Sequence, residues 1–198
     1  MKNISFISPM YNSEAWVDRL IENIPLESAY EIIICDDCST DNTLDKIKEW
    51  QTKIPIIKII RNDVNMGCSY SYNRLVEEAQ GEYIAIIDSD DYYLPKMKEI
   101  CKLANGDYDI VWYDMIDNED RLYDARKDGV LWSGCLKIFK KAIVGNARFG
   151  KEGSGDVDFT KEVFLNSTSD LYTETIAYKY NYPRNNSVHD RFVKGELK

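Results

Sequence analysis

The segment GEYIAIIDSDDYYLP, residues 81–95, places three carboxylates, Asp88, Asp90 and Asp91, directly after an apolar run. Like charges this close repel one another unless something positive lies between them. Two carboxylates separated by one residue suit a hard divalent cation, magnesium or manganese, which takes few protein oxygens and completes its shell with water and substrate phosphate. Asp near a helix N-terminus is also stabilised by the helix dipole, so an acidic loop capping the next helix accounts for the same spacing. A second acidic pair, Asp36 and Asp37 in EIIICDDCSTDNT, follows another apolar run. One pair can accept N–H or O–H donors from a base or ribose while the other holds a metal that bridges phosphates. A nucleotide-sugar donor requires that residue set.

The elements that position these acids follow from periodicity. ISFIS (4–8) has the character of a short buried strand, and SEAWVDRLIENI (13–24) places Val17, Leu20, Ile21 and Ile24 on one helical face. YEIIIC (30–35) is a second strand, followed by a helix carrying Leu44, Ile47 and Trp50. IPIIKII (54–60) is the third strand, with Tyr72, Leu75, Val76 and Ala79 marking the helix after it. EYIAIID is the fourth, and Pro95 suits the first position of a helix whose face is Met97, Ile100, Cys101 and Ala104. Alternation of this kind with near-continuous apolar strands predicts an α/β fold, a mostly parallel central sheet flanked by helices. In such sheets ligands bind outside the carboxyl ends of the strands. Asn12 and Ser13, Asp36 and Asp37, Asn62 and Asn65, and Asp88 to Asp91 are then expected to line one crevice.

Beyond residue 105 the pattern loosens. YDIVWYDMI (108–116) reads as a strand, RLYDARKDGVLW (121–132) as a hairpin or loop, and SGCLKIFKKAIV (133–144) has mixed character. DVDFTKEVFLN (156–166) has the spacing of a helix and LYTETIAYKYNYP (171–183) that of a strand, with Tyr178, Tyr180 and Tyr182 on one side. Trp112 and Trp132 read as core residues, with a sugar platform as the alternative. No linker or repeat divides the chain, so residues 1–198 are expected to form one domain, 1–104 the donor half and 105–198 the acceptor half and tail.

The net charge of −9 opposes binding of nucleic acid by counterion release. The densest basic cluster, KIFKK at 137–141, reads as a solvated face. Five cysteines form an odd count in a chain large enough to do without disulfide staples, and reduced thiols are expected, the C-x-x-C of Cys35 and Cys38 included. No apolar run reaches the ~18 residues of a membrane span, and the N-terminus lacks a signal peptide, so a soluble cytoplasmic protein is expected.

ISPMYNSEAWVDRLIENI, EIIICDDCSTDNT, NMGCSYSYNRLVEEAQGEYIAIIDSDDYYLP and CLKIFKKAIVGNARFGKEGSGDVDF occur in an order that resembles the successive motifs of family-2 inverting glycosyltransferases with the GT-A fold. The resemblance is closest over roughly the first hundred residues and extends to about residue 165. It implies a metal-dependent transfer of sugar from a nucleotide diphosphate, with uridine diphosphate as the expected carrier, to the hydroxyl of a glycan or other acceptor. Tyr11 then stands against the uracil ring with Pro9 fixing its turn, Asn12 and Ser89 bind the nucleotide, Asp37 accepts from the base, Asn65 and Gly67 form the loop under the nucleotide, and Asp88 belongs to the metal and ribose motif. Asp90, with Asp88, would hold Mn2+ or Mg2+, and Asp91 assists. The one histidine, His189, is a further candidate metal ligand, with a plain exposed tail residue as the alternative. Asp156 corresponds to the catalytic base, with Asp158 as the second candidate. Departures from the pattern are Tyr72-Asn73-Arg74 where Arg-Asn is common, Cys38 where Gly or Asn is frequent, and Gly155 where Glu usually precedes the base.

Three other readings compete. A sugar-1-phosphate nucleotidyltransferase needs a glycine-rich loop after the first strand, where this chain has SPMYNSEA. A response-regulator receiver carries its acidic pair after the first strand instead of the second and fourth. A nucleotide or carbohydrate binder without turnover is compatible with Gly155.

Overall fold

In the computed structural model residues 2–126, 133–150 and 155–183 are described. Trp132 and His189 lie outside them. Strand β1 (Ile4–Met10), helix α1 (Val17–Glu22), strand β2 (Ala29–Asp36), helix α2 (Thr43–Lys53), strand β3 (Ile57–Arg61), helix α3 (Cys68–Glu78) and strand β4 (Tyr83–Ile86) alternate along the first half. Every residue of β1 and β4 is buried, because helices cover both faces of the sheet, and this is why the strands read as continuous apolar runs. Val17, Leu20 and Ile21 of α1 and Tyr72, Leu75 and Val76 of α3 are the buried faces that the helical spacing predicts.

Two boundaries differ from expectation. β1 runs on to Met10, so Pro9 lies inside the strand, in register with Cys35, and does not fix a turn. β4 has ended there: its last bond to β1 runs from Ile87 N to Ile7 O, so a residue without an N–H is tolerated at position 9. Helix α4 (Met97–Leu103) starts two residues after Pro95. Short strand β5 (Tyr92–Tyr93) precedes that proline, and Leu94 N donates to Ala177 O, which keeps the chain extended as far as residue 94.

The second half completes the same sheet with β6 (Ile110–Ile116), β7 (Leu122–Tyr123), β8 (Lys137–Lys140) and β9 (Asp170–Lys179), while α5 (Gly155–Leu165) lies between β8 and β9 in sequence. The order among the described residues is β3-β2-β1-β4-β8-β6-β9-β5, with β7 on β6. β1 to β4 are parallel, β8 is antiparallel to both β4 and β6, and β9 is parallel to β6. β5 and β7 are antiparallel to β9 and β6. Six strands therefore run one way and three the other, and the carboxyl ends of β1, β2, β3, β4, β6 and β9 face the same edge.

The hairpin of β6 and β7 turns on Asp117, whose carboxylate accepts from Glu119 N at 2.9 Å, Arg121 N at 3.0 Å, Arg121 Nε at 2.6 Å and the Tyr123 hydroxyl at 3.0 Å. Phe149 stacks between Tyr72 of α3 and Phe159 of α5, at centroid distances of 4.7 and 4.1 Å, and so packs the two halves together. KIFKK is not a solvated face. Lys137 is fully buried on β8, and Lys140 and Lys141 bond to Asp109 and to main-chain carbonyls. All five cysteines are free thiols, and no helix among the described residues is long and apolar enough to cross a membrane.

Candidate active site

The loops after β1, β2 and β3 interlock at one corner of the crevice. Asp36, the last residue of β2, is in register with Arg61 of β3; its Oδ2 lies 3.3 Å from Arg61 Nε and its Oδ1 accepts from Ser39 N at 3.2 Å. Asp37 next to it holds the following loop: Oδ1 accepts from Asn62 Nδ2 at 2.6 Å and Met66 N at 2.8 Å, and Oδ2 accepts from Gly67 N at 2.8 Å. A carboxylate has about four acceptor positions, so Asp37 keeps one for a ligand. Asn65 Oδ1 also accepts from Gly67 N, at 3.2 Å. Gly67 has φ +85°, a conformation that favours glycine, and it opens α3. Arg74 donates to Asn62 Oδ1 and to Arg61 O, bracing this corner from α3. Asn12, at φ +47°, accepts from Thr40 N through Oδ1 and donates its own N–H to Ser39 Oγ. Tyr11 beside it is 48% exposed, an open aromatic face at the mouth of the corner.

The loop after β4 forms the second corner. Ser13 Oγ and Ser89 Oγ, 3.1 Å apart, link it to the loop after β1. Arg19 is held between the rings of Trp16 and Tyr92, 4.7 and 4.6 Å from their centroids, and donates to the Asp90 carbonyl at 2.5 Å. Asp91 points away from the crevice mouth and accepts from the Tyr178 hydroxyl at 2.7 Å and Asn181 N at 2.8 Å. The Tyr178 oxygen in turn accepts from Asp88 N at 3.1 Å. Asp88 Oδ1 accepts from the Tyr72 hydroxyl, and Oδ2 lies 3.5 Å from Cys135 Sγ. Burial, and next the charge of Asp156, push the Asp88 carboxyl up to about 7. Burial together with Asp88 and Asp90 pushes Asp91 well above the usual carboxylate range.

Asp156 enters from the second half, in the first turn of α5. Burial raises its carboxyl, while the Lys137 ammonium and the Gly134 N–H oppose that rise. Gly155 before it is tightly placed: a Cβ there would lie 3.0 Å from Ser69 Oγ and 3.1 Å from Gly150 O, so a side chain at this position requires those neighbours to give way by a few tenths of an ångström. Asn73 and Phe149 exchange two hydrogen bonds of 3.0 and 2.9 Å, which fix the chain just ahead of α5 against the same helix.

Among the described residues no three His, Cys, Asp or Glu side chains form a metal cage of their own. Asp91 is committed to Tyr178 and Asn181, whereas Asp88 and Asp90 are both partly exposed in a region rich in carboxylate charge. This two-carboxylate set fits a magnesium-type cation that shares its shell with phosphate and water, and does not fit a protein-only site. The sequence did not single out four groups that shape this corner: the Tyr178 hydroxyl, Cys135, Lys137, and Tyr72 as a donor to Asp88. Tyr72 departs from the family pattern, which was a signal. For the others only long-range pairing brings them to Asp88 and Asp156.

The fold has counterparts among known proteins. The family described as Glycosyl transferase family 2 matches residues 5–154. The poly(ribitol-phosphate) beta-N-acetylglucosaminyltransferase TarS of Staphylococcus aureus is 32% identical over 97 residues, 46% of this chain and 17% of the relative. The uncharacterized glycosyltransferase YibD of Escherichia coli is 27% identical over 220 residues, 93% of this chain and 62% of the relative. Among solved structures, TarS 1–349 in complex with UDP-GlcNAc superposes with a TM-score of 0.79 at 22% identity, over 92% of this chain and 59% of that one. The mannosyltransferase PcManGT of Pyrobaculum calidifontis, in complex with GDP-Man and Mn2+, superposes with a TM-score of 0.73 at 16% identity, over 98% of this chain and 61% of that one. The chain thus spans less than two thirds of the length of each of these relatives. With the match covering the crevice loops from β1 up to the start of α5 in the GT-A arrangement, this chain belongs to glycosyl transferase family 2.

Proposed function

We propose that the chain transfers a sugar from a nucleotide diphosphate donor, with uridine diphosphate as the carrier, to an acceptor hydroxyl with inversion at the anomeric carbon. The observation that supports this most is the placing of two acidic groups at the carboxyl ends of the parallel strands on either side of β1, with Asp37 after β2 holding the loop of Asn65 and Gly67 and Asp88 after β4. In an inverting displacement the acceptor hydroxyl attacks the face opposite the departing diphosphate. Asp156 takes the hydroxyl proton as the new bond forms, a role open to the partly exposed carboxylate in the first turn of α5. Tyr11 offers its exposed ring to the base, and the remaining acceptor position of Asp37 suits the imide N–H of uracil. Asn65 and Gly67 carry the loop under the nucleotide, and Asp88 and Ser89 lie on its ribose side. A divalent cation, Mn2+ or Mg2+, would neutralise charge on the leaving diphosphate, with Asp90 and Asp88 as its protein ligands. UDP and UDP-GlcNAc are bound by TarS and Mn2+ accompanies GDP-Man in PcManGT, so both carriers occur within this fold.

A thermal-shift panel of nucleoside diphosphates with and without Mn2+ tests the reading, because a ligand that binds only the folded chain raises the midpoint by mass action. The expected result is a metal-dependent rise with UDP that exceeds the rise with GDP. No rise with any nucleotide overturns it.

A further inference from the structure

Asp91 N donates to Asp88 O at 3.1 Å, so residues 88–91 form a single tight turn with Ser89 and Asp90 at its centre. The two ends of that turn are joined a second time by one atom from the second half of the chain. The Tyr178 hydroxyl of β9 accepts from Asp88 N at 3.1 Å and donates to Asp91 Oδ2 at 2.7 Å. Asp91 Oδ1 accepts from Asn181 N at 2.8 Å, just beyond the same strand. From the first half the turn is met by Ser13 and by Arg19, which donates to the Asp90 carbonyl. Asp88 and Asp90 stay partly exposed within this grip, while Asp91 is only 2% exposed.

The place of the Tyr178 hydroxyl is set by strand pairing and ring packing outside the turn. Tyr178 is fully buried, in register with Tyr93 of β5 and with Met115 of β6, and the two tyrosine rings meet edge-on with centroids 5.6 Å apart. The bonds of Asp91 also separate two explanations of its burial. A carboxylate that capped the following helix would accept from the first N–H groups of that helix. Those groups bond elsewhere, Met97 N to Leu94 O and Glu99 N to Lys96 O, each at 2.9 Å. Asp91 accepts from β9 and the residue past it instead, so loss of the Tyr178 hydroxyl would leave both Asp91 Oδ2 and the Asp88 N–H unanswered.

We propose that Tyr178, acting through Asp91 and the Asp88 N–H, is a positioning residue for Asp88 and Asp90: it holds their turn, before a divalent cation arrives, in the shape the cation meets. Asp91 is then part of the support and not a ligand. The inference rests on the reading of Asp88 and Asp90 as the cation's protein ligands. Groups that orient such ligands change metal affinity by about ten- to a hundredfold when they are lost.

Two substitutions that each remove one buried oxygen and keep the ring test it. Tyr178→Phe removes the bridge. Tyr93→Phe is the matched control, because its hydroxyl donates to Ile86 O at 2.9 Å and does not bond the turn. UDP is titrated calorimetrically into each variant with and without Mn2+. In Tyr178→Phe the gain in UDP affinity from Mn2+ is expected to fall about tenfold, while affinity for UDP alone changes by no more than about threefold; Tyr93→Phe is expected to keep the gain. A full gain in Tyr178→Phe, or an equal loss in both variants, overturns the proposal. No gain in the unsubstituted chain overturns the reading of Asp88 and Asp90, and the role of Tyr178 with it, so the two failures are told apart. Should Tyr178→Phe not fold, amide exchange of Asp88 in the unsubstituted, metal-free chain decides. Exchange slowed by about a hundredfold or more against an open amide is expected, and exchange at the open rate shows a turn not yet set and refutes the proposal.

Discussion

Two acidic corners close the crevice, and they differ in the charge brought to their carboxylates. At the corner after β2, Asp36 and Asp37 meet Arg61, Asn62 and the N–H groups of Ser39, Met66 and Gly67, so protein donors answer most of the carboxylate oxygens. At the corner after β4 the donors to Asp88 and Asp91 are neutral, the Tyr72 and Tyr178 hydroxyls, the Cys135 thiol and the Asn181 N–H, and burial with the charge of Asp156 raises the Asp88 carboxyl to about 7. A corner whose charge is already answered keeps its shape without a ligand, while one whose charge is in excess is completed when a cation arrives. On the function proposed above, the first corner would be a preformed cradle for the donor and the second the place where a cation would be shared with its diphosphate.

The largest expected effect is on chemistry at the unfinished corner. Asp156→Asn should lower turnover with an accepted UDP-sugar by about a thousandfold, the usual range for loss of a positioned base, while UDP affinity measured with Mn2+ stays within about twofold. A comparable loss of UDP affinity would place Asp156 in the binding corner instead. At the finished corner, Asp37→Ala leaves three donors unanswered, and a loss of about 3 kcal/mol in denaturant unfolding is expected. Asp88→Asn should act with the opposite sign. Above pH 7 the raised carboxyl is a burden to the fold, so removing its charge should stabilise the metal-free chain by roughly 2 kcal/mol. Destabilisation by both substitutions would erase the contrast between the corners.

The smallest effect gives a reference remote from both. Asp109, at the foot of β6, accepts from Thr168 N and Thr168 Oγ1, each at 2.9 Å, and pairs with Lys140 at 3.1 Å. These donors, the Thr168 N–H first, hold its carboxyl near 2, below the ordinary 3.8. Its contribution is therefore present above pH 3.8 and lost as the pH falls towards 2. Asp109→Asn should remove about 1 kcal/mol at pH 7 and only a small part of that at pH 2, where the folded carboxyl is half protonated, as urea unfolding at the two pH values would reveal.

The first half of the fold was legible because each strand is covered on both faces and each helix buries one stripe, so period alone separates them. Pro9 was misplaced because whether a proline fits inside a strand depends on where the neighbouring strand ends, which sequence does not state. Lys137 was misread for a related reason. Lysine in a charged run is ordinarily solvated, and only the approach of Thr160 and Trp112 from two distant segments, beside the nearby Ser133, makes a dry place for it. The acids of the site were visible as types after strands. Which of them face the crevice was not, because Asp91 is turned away by Tyr178 and Asn181, close to ninety residues further along the chain.

Calorimetric titration of UDP in the presence and absence of Mn2+, on the unsubstituted chain and on Asp90→Asn, tests most directly whether the corner after β4 awaits a cation shared with a diphosphate. The expected result is at least a tenfold gain in UDP affinity from Mn2+ in the unsubstituted chain and none in Asp90→Asn. Equal affinity with and without the metal in the unsubstituted chain would contradict it.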